Sequence, residues 1–281
     1  MIQYLVRFAK RLALFIPGII IAYVSLRYTL PYFDKRLPDV VAILFTYALA
    51  AYVLIPGIIR VWRIIFPPEH LPLYCVTPDG FASDPLNIGV VGTRRELIMA
   101  MEKAGWYMSD PNSLGNIIRH VISIFLGWEY SHAPVSKLYL FGRKQDLAFE
   151  IPVNGANIRR HHVRFWATTF EEKQPITARS IHWHHRRDHL HEDELLWVGS
   201  ASLDIGIMPI RHNLQLTHKV DPDTNQEREL ICASLRSKKL IDKTEKLKLD
   251  DPYRLINRTW RGELRTDGMM TVAWLKKTTL S

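Results

Sequence analysis

The heptapeptide Arg160 to Trp166, Arg-His-His-Val-Arg-Phe-Trp, does more than any other stretch to limit what this chain can fold into. Strand side chains alternate between faces, so His161, Val163 and Phe165 fall on one side and Arg160, His162, Arg164 and Trp166 on the other. The stretch reads as a strand with one strongly cationic face. Upstream, Leu138 to Phe141 is continuously apolar, and Leu147, Phe149 and Ile151 alternate with Ala148 and Glu150. Gly142 to Asp146 between them reads as a hairpin connection, with Asp146 closing it.

Helices and further strands surround this segment. Leu86 to Val91 reads as a strand, and Thr93 with Glu96 has capping-box spacing for a helix that ends near Gly105. Asp110-Pro111 marks the start of another helix. In it Leu114, Ile117, Ile118, Val121, Ile122 and Phe125 follow helical spacing, which predicts a core-facing stripe, or one that leans on a membrane. Trp197 to Ile210 and Leu214 to Val220 supply two or three strands, Asp221-Pro222-Asp223 precedes a helix, and Met269 to Leu275 reads as a last strand. Helices flanking several adjacent strands describe an α+β fold with a mixed, largely antiparallel sheet.

The first 66 residues are of another kind. Leu12 to Leu26 and Val40 to Ile59 are uncharged and mostly apolar, and the second run alone is long enough to cross about 30 Å of hydrocarbon. The reading is a two-helix transmembrane hairpin over residues 1–66, with helices at about 10–29 and 40–61, a linker over 67–85 and a soluble domain over 86–281. The pentapeptide Ile-Pro-Gly-Ile-Ile occurs at Ile16 to Ile20 and again at Ile55 to Ile59, near the same end of an antiparallel pair. Arg7, Lys10, Arg11, Arg60 and Arg63 flank the outer ends, against Arg27, Lys35 and Arg36 in the connection. That bias favours a multi-pass protein of an inner membrane with the domain on the cytoplasmic side.

The chain carries 37 Lys and Arg against 28 Asp and Glu, a net +9. An anionic partner follows, and with apolar runs present and no nucleic-acid signature, that partner is membrane lipid rather than nucleic acid. Cys75 and Cys232, the only cysteines, fit no paired metal spacing and no expected disulfide.

The blocks LYLFGRKQDLAFE, RRHHVRFW and WVGSASLDIGI, with Thr217-His218 followed by Asp221-Pro222-Asp223 and Glu227-Arg228, resemble the LssY C-terminal domain family. The resemblance runs from about Leu86 to Leu240. It implies a bacterial, membrane-associated protein, in the company of phosphatidic-acid-phosphatase-like or DedA-like membrane proteins, and supplies no reaction.

The residues themselves offer competing chemistries. His162, Asp204, Asp223 and Glu227 are candidate catalytic groups, and Arg143, Arg160, Arg164 and Arg228 are candidate phosphate ligands. His161, His162, Asp204 and His218 are candidate ligands for one divalent metal ion, which would acidify a bound water. Such a set fits a metal-assisted phosphoester hydrolase acting on phosphorylated lipid or lipid-linked substrates. The alternative is a non-catalytic module that binds anionic lipid or a partner membrane protein through the same basic face. His161 shares its face with Val163 and Phe165, and His218 with Leu216 and Val220, which equally fits hydrogen-bonded core histidines. Ser200 and Ser202 lack a G-x-S-x-G context. The cluster His182 to His191 has metal-like composition but loop-like flanks.

Overall fold

A computed structural model describes residues 19–55, 57–58, 61, 71–78, 80–140, 142–153, 156–169, 182–183, 194–209, 216–256 and 263–277. The chain divides into two compact units, residues 1–67 with 78–80, and residues 68–77 with 81–281.

In the first unit a π-helical turn, Ser25–Thr29, leads into α1 (Leu30–Asp34), and α2 (Asp39–Leu49) passes into a second π-helical turn, Ala50–Leu54. No helix among the described residues is long and apolar enough to cross a membrane, so the expected spanning hairpin is not seen in them. Residues 10–18 of the first expected span lie outside the described residues. Large apolar side chains on α2, among them Val40, Leu44 and Phe45, are exposed.

The second unit contains, in order, β1 (Tyr74–Val76), β2 (Ala82–Pro85), β3 (Ile88–Gly92), α3 (Arg94–Lys103), β4 (Tyr107–Met108), α4 (Leu114–Leu126), β5 (Tyr139–Leu140) and β6 (Arg143–Lys144). It continues with β7 (Leu147–Val153), β8 (Ala156–Thr169), β9 (His182–Trp183), β10 (Leu195–Pro209), β11 (Leu216–Val220) and α5 (Thr224–Ser237). The last strands are β12 (Ile241–Lys248), β13 (Tyr253–Ile256), β14 (Glu263–Thr266) and β15 (Met269–Leu275). Among the described residues the main sheet runs β12-β15-β3-β10-β8-β7-β4, with β11 on β10 and β9 on β8. Its pairings are antiparallel except β15 with β3. A smaller sheet has the order β2-β1-β5-β6. The fold is thus α+β with a mixed, largely antiparallel sheet.

Period-two alternation places the two cores. One face of the main sheet buries Val163, Phe165 and Trp197 together with Leu97 and Met101 of α3 and Ile231 and Leu235 of α5. The other buries Trp166, Val198 and Val272 against Cys75, Leu86 and Leu140 of the smaller sheet region. Both cysteines are free and buried.

The local signals act as their chemistry requires. The Thr93 hydroxyl accepts from the Glu96 N–H at 3.1 Å while the Glu96 carboxylate accepts from the Thr93 N–H at 2.8 Å, a complete capping box on α3. Asp223 caps α5 by accepting from the Asn225 N–H at 3.1 Å.

Four expectations change. β5 and β7 do not pair as a hairpin: β5 turns back on β6 through Gly142 at φ 78°, a conformation glycine adopts freely, and β7 joins the main sheet. Helix α4 starts at Leu114, because Asp110 is taken by the Tyr130 hydroxyl and Ser113 caps instead, accepting from the Asn116 N–H at 3.2 Å. Nor is α4 core-facing: its one buried residue is Ser123, and its apolar stripe is exposed. β1 and β2 occupy part of the stretch expected to be a linker. His184 to His191 lie outside the described residues.

At Gly199 the β10 backbone packs closely against neighbouring side chains. A Cβ there would lie 2.7 Å from both Ile88 Cγ2 and Phe165 Cε1. Gly199→Ala is expected to destabilise the domain by roughly 1–3 kcal/mol through overpacking, seen as a lower urea midpoint with an unchanged m value.

Candidate functional site

Three neighbouring strands bring the polar residues together through their register. Glu150 on β7 sits opposite His162 on β8, which sits opposite Ser202 on β10. One step along, Ala148, Arg164 and Ser200 align, and one step the other way, Pro152, Arg160 and Asp204. All these side chains share the face that packs toward the smaller sheet, where the apolar layer gives way to charge. Asp84 enters from β2 and Ser136 from the chain before β5.

The centre is nearly closed to solvent: Asp84, Glu150, Arg160, His162, Arg164 and Ser202 are all buried. Such groups need internal partners. Arg164 donates through Nη1 to Asp84 Oδ2 at 3.2 Å, through Nη2 to Ser136 Oγ at 3.1 Å and through Nε to the Ser136 carbonyl at 3.2 Å. Arg160 Nη1 donates to both Glu150 oxygens, at 3.1 and 3.0 Å. Ser202 Oγ lies 3.0 Å from Asp84 Oδ2 and 2.7 Å from His162 Nε2.

The protons in this chain can be assigned. Burial alone would raise the Asp84 pKa, but the approach of His162, the Arg164 charge and the Ser202 hydroxyl hold it down at about 2. An ionised carboxylate only accepts, so the Ser202 hydroxyl donates to Asp84 and His162 Nε2–H must donate to Ser202. In the neutral ring this leaves His162 Nδ1 as a bare lone pair. It has no hydrogen-bond partner and faces Asp204 Oδ2 at 3.5 Å, which His218 Nδ1 also approaches, at 3.2 Å.

Glu150, Arg160, His162, Arg164, Asp204 and His218 wall a cavity of about 10 Å³ that also touches His120 of α4 and Ser136, space for about one water. Burial pushes Glu150 up to about 8, with the Asp204 charge adding to the shift and Arg160 opposing it. Burial, then the charges of Arg160 and His218, push His120 down to about 4. The cavity therefore adjoins a carboxyl biased toward its protonated form, an imidazole biased toward its neutral form, and His162.

Of the residues singled out in the sequence, His162, Asp204, His218, Arg160 and Arg164 meet here. The others do not. His161 turns to the opposite face of β8 and pairs with Glu227 of α5 at 2.8 Å. Asp223 is the α5 cap, Arg143 is bound to Asp146, and Arg228 forks onto Asp267 at 2.9 and 2.8 Å. Arg160 and Arg164 are themselves engaged by carboxylates. Among the described residues no group of three or more His, Cys, Asp or Glu side chains is placed to hold a metal ion.

Asp84, Ser136, Glu150, Ser202 and His120 join the centre without having been singled out. Ser202 had a readable signal: Ser200, Ser202 and Asp204 alternate with apolar residues in step with Arg160, His162 and Arg164. Asp84 and His120 had none, since tertiary packing alone brings them in.

The depressed Asp84 pKa fixes a sign. Its stabilisation is complete above the unfolded carboxyl value of 3.8 and is lost as pH falls through about 2. Chemical denaturation as a function of pH should show this loss between about 4 and 2, and Asp84→Asn should remove that dependence. The variant should also lose on the order of 3–5 kcal/mol by leaving Arg164 buried without its counter-charge.

No curated protein and no solved structure matches this chain. A family model does, over residues 69–270, a wider span than the four sequence blocks. With that match covering most of the chain, the protein belongs to the LssY C-terminus family.

Proposed function

We propose that this protein is a membrane-attached hydrolase of phosphorylated lipid or lipid-linked substrates, working by proton transfer in the Asp84–Ser202–His162–Asp204 centre. One observation carries the reading: His162, whose Nε2 is held by Ser202 and whose Nδ1 makes no hydrogen bond and lies 3.5 Å from Asp204 Oδ2, lines a water-sized cavity beside Glu150, a carboxyl that burial pushes up to about 8. Two carboxyls pushed in opposite directions, Asp84 to about 2 and Glu150 to about 8, are the usual sign of divided acid and base roles.

In this reading the water gives a proton to His162 Nδ1 as its oxygen attacks phosphorus. The bond from phosphorus to the leaving oxygen breaks, and Glu150 supplies that oxygen's proton. Asp204 stabilises the imidazolium that forms. Arg160, in the same wall, draws the phosphoryl oxygens in exchange for the Glu150 oxygens it otherwise binds. Membrane attachment is supported by the uncharged run Val40 to Ile59 and by the exposed apolar side chains of α2. A position on the cytoplasmic side of an inner membrane is supported by the basic bias at the outer ends of the two apolar runs.

The test is phosphate release by the full chain from phosphatidic acid and from a polyprenyl diphosphate. His162→Ala and Glu150→Gln should each lower kcat by about 10²-fold or more while near-UV circular dichroism stays unchanged. Full activity in His162→Ala would end the proposal. Because the acid must hold its proton, kcat should fall as pH rises through about 8. That limb should vanish in Glu150→Gln, whose residual rate is then flat across the same range.

A further inference from the structure

Helix α4 is amphipathic with its apolar side outward. Leu114 and Phe125, near its two ends, are 75 % and 84 % exposed, with Ile118, Val121 and Leu126 exposed between or beside them. The inward side is polar, with Ser123 buried and His120 on the cavity wall. A helix that hides its polar side and shows its apolar one needs another apolar surface to cover it.

The surroundings indicate which surface. Beside the start of α4 lies a cleft of about 600 Å³ whose walls include Pro111, Asn112 and Ser113 together with Arg94, Lys137 and Lys144. Its carboxylates are already engaged: Asp110 accepts from the Tyr130 hydroxyl, and Asp146 accepts from Arg143 and, at 2.9 Å, from the Ala167 N–H. Among the described residues, no carboxylate pairs with Arg94, Lys137 or Lys144. The positive end of the α4 dipole opens on the same cleft. An exposed apolar helix face therefore adjoins a cleft with excess positive charge.

We propose that α4 lies in the interface of an anionic bilayer, its apolar face toward the acyl chains, while Arg94, Lys137 and Lys144 hold headgroup phosphates in the cleft. An anionic membrane is the complement of this pair of features, because its phosphates lie directly above hydrocarbon. A second copy of the chain would cover the helix but would bring another cationic cleft close to the first, against the repulsion of a chain carrying +9. The inference rests on α4 and its cleft, not on the buried centre, and stands whether or not that centre hydrolyses anything.

Cys75 and Cys232 are both fully buried, so a cysteine placed at the exposed Phe125 can be labelled selectively. The experiment uses the full chain carrying Phe125→Cys with an environment-sensitive fluorophore, reconstituted in vesicles of phosphatidylcholine with brominated acyl chains, with or without phosphatidylglycerol. Quenching by bromine is expected in the anionic vesicles. The preference for anionic over neutral vesicles should drop about fivefold for each cation lost in Arg94→Gln, Lys137→Gln and Lys144→Gln. Absence of bromine quenching in both vesicle types overturns the proposal. So does a label shielded from aqueous iodide but not reached by bromine, with a doubled sedimenting mass, which assigns the face to a second copy. Equal quenching in both vesicle types, unmoved by the charge substitutions, overturns the headgroup role of the cleft.

Discussion

The guanidinium of Arg164 is the group on which the centre depends. It is planar, permanently charged and buried, and burying it without partners would cost several kcal/mol. Its partners come from different parts of the fold: Asp84 from the smaller sheet, Ser136 from the segment before β5, and Arg164 itself from the main sheet. One cation thus cross-links two sheets and a loop in a fixed plane. The constraint passes onward, since an ionised Asp84 sets the direction of the Ser202 hydroxyl, and Ser202 sets the tautomer of His162. A side chain whose first duty is electrostatic bookkeeping thereby also orients the imidazole.

The same interlayer that seats this cation is apolar a few residues away. On β8 the step from Trp166 to Arg164 to His162 to Arg160 runs from dry core into charge, and on β10 the step from Val198 to Ser200 to Ser202 to Asp204 runs in parallel with it. Rigid strands hold the polar groups, so their spacing is set by backbone hydrogen bonds and not by loop conformation. Asn87 secures the adjacent backbone, accepting from the Ala201 N–H and donating to the Ala201 and Thr224 carbonyls, each at 2.9 Å. The polar end of the layer is therefore as firmly placed as the apolar end.

Much of the fold was legible because alternation is a local property. The faces of β8 follow from His161 against His162, the capping box from Thr93 and Glu96, the start of α5 from Asp223, and β15 from its run of apolar residues. The candidate centre was legible only in part. His162, Asp204 and His218 could be grouped by chemistry, but His161 and Glu227 pair across the other face, which becomes visible only when α5 is packed there. Asp84 lies in a short strand of mixed residues that carries no strong pattern, and what makes it important is a cation 80 positions later. The apolar stripe of α4 was legible as a stripe, yet periodicity says only that one side differs from the other. Which side turns inward was decided by His120 and Ser123 against the polar layer.

The strand order carries a consequence for how the domain is made. β15, the last described strand of the main sheet, lies between β12 and β3, and among the described residues it alone joins β12 to the rest of that sheet. As the chain leaves the ribosome, β3 can pair with β10 on one side, but its other edge stays open until Met269–Leu275 has been synthesised. Folding of this domain is thus a late event governed by a contact nearly the full length of the domain apart in sequence, slow by the usual relation between topology and rate. Until that contact forms, the nascent protein exposes an unpaired edge that other strands could join.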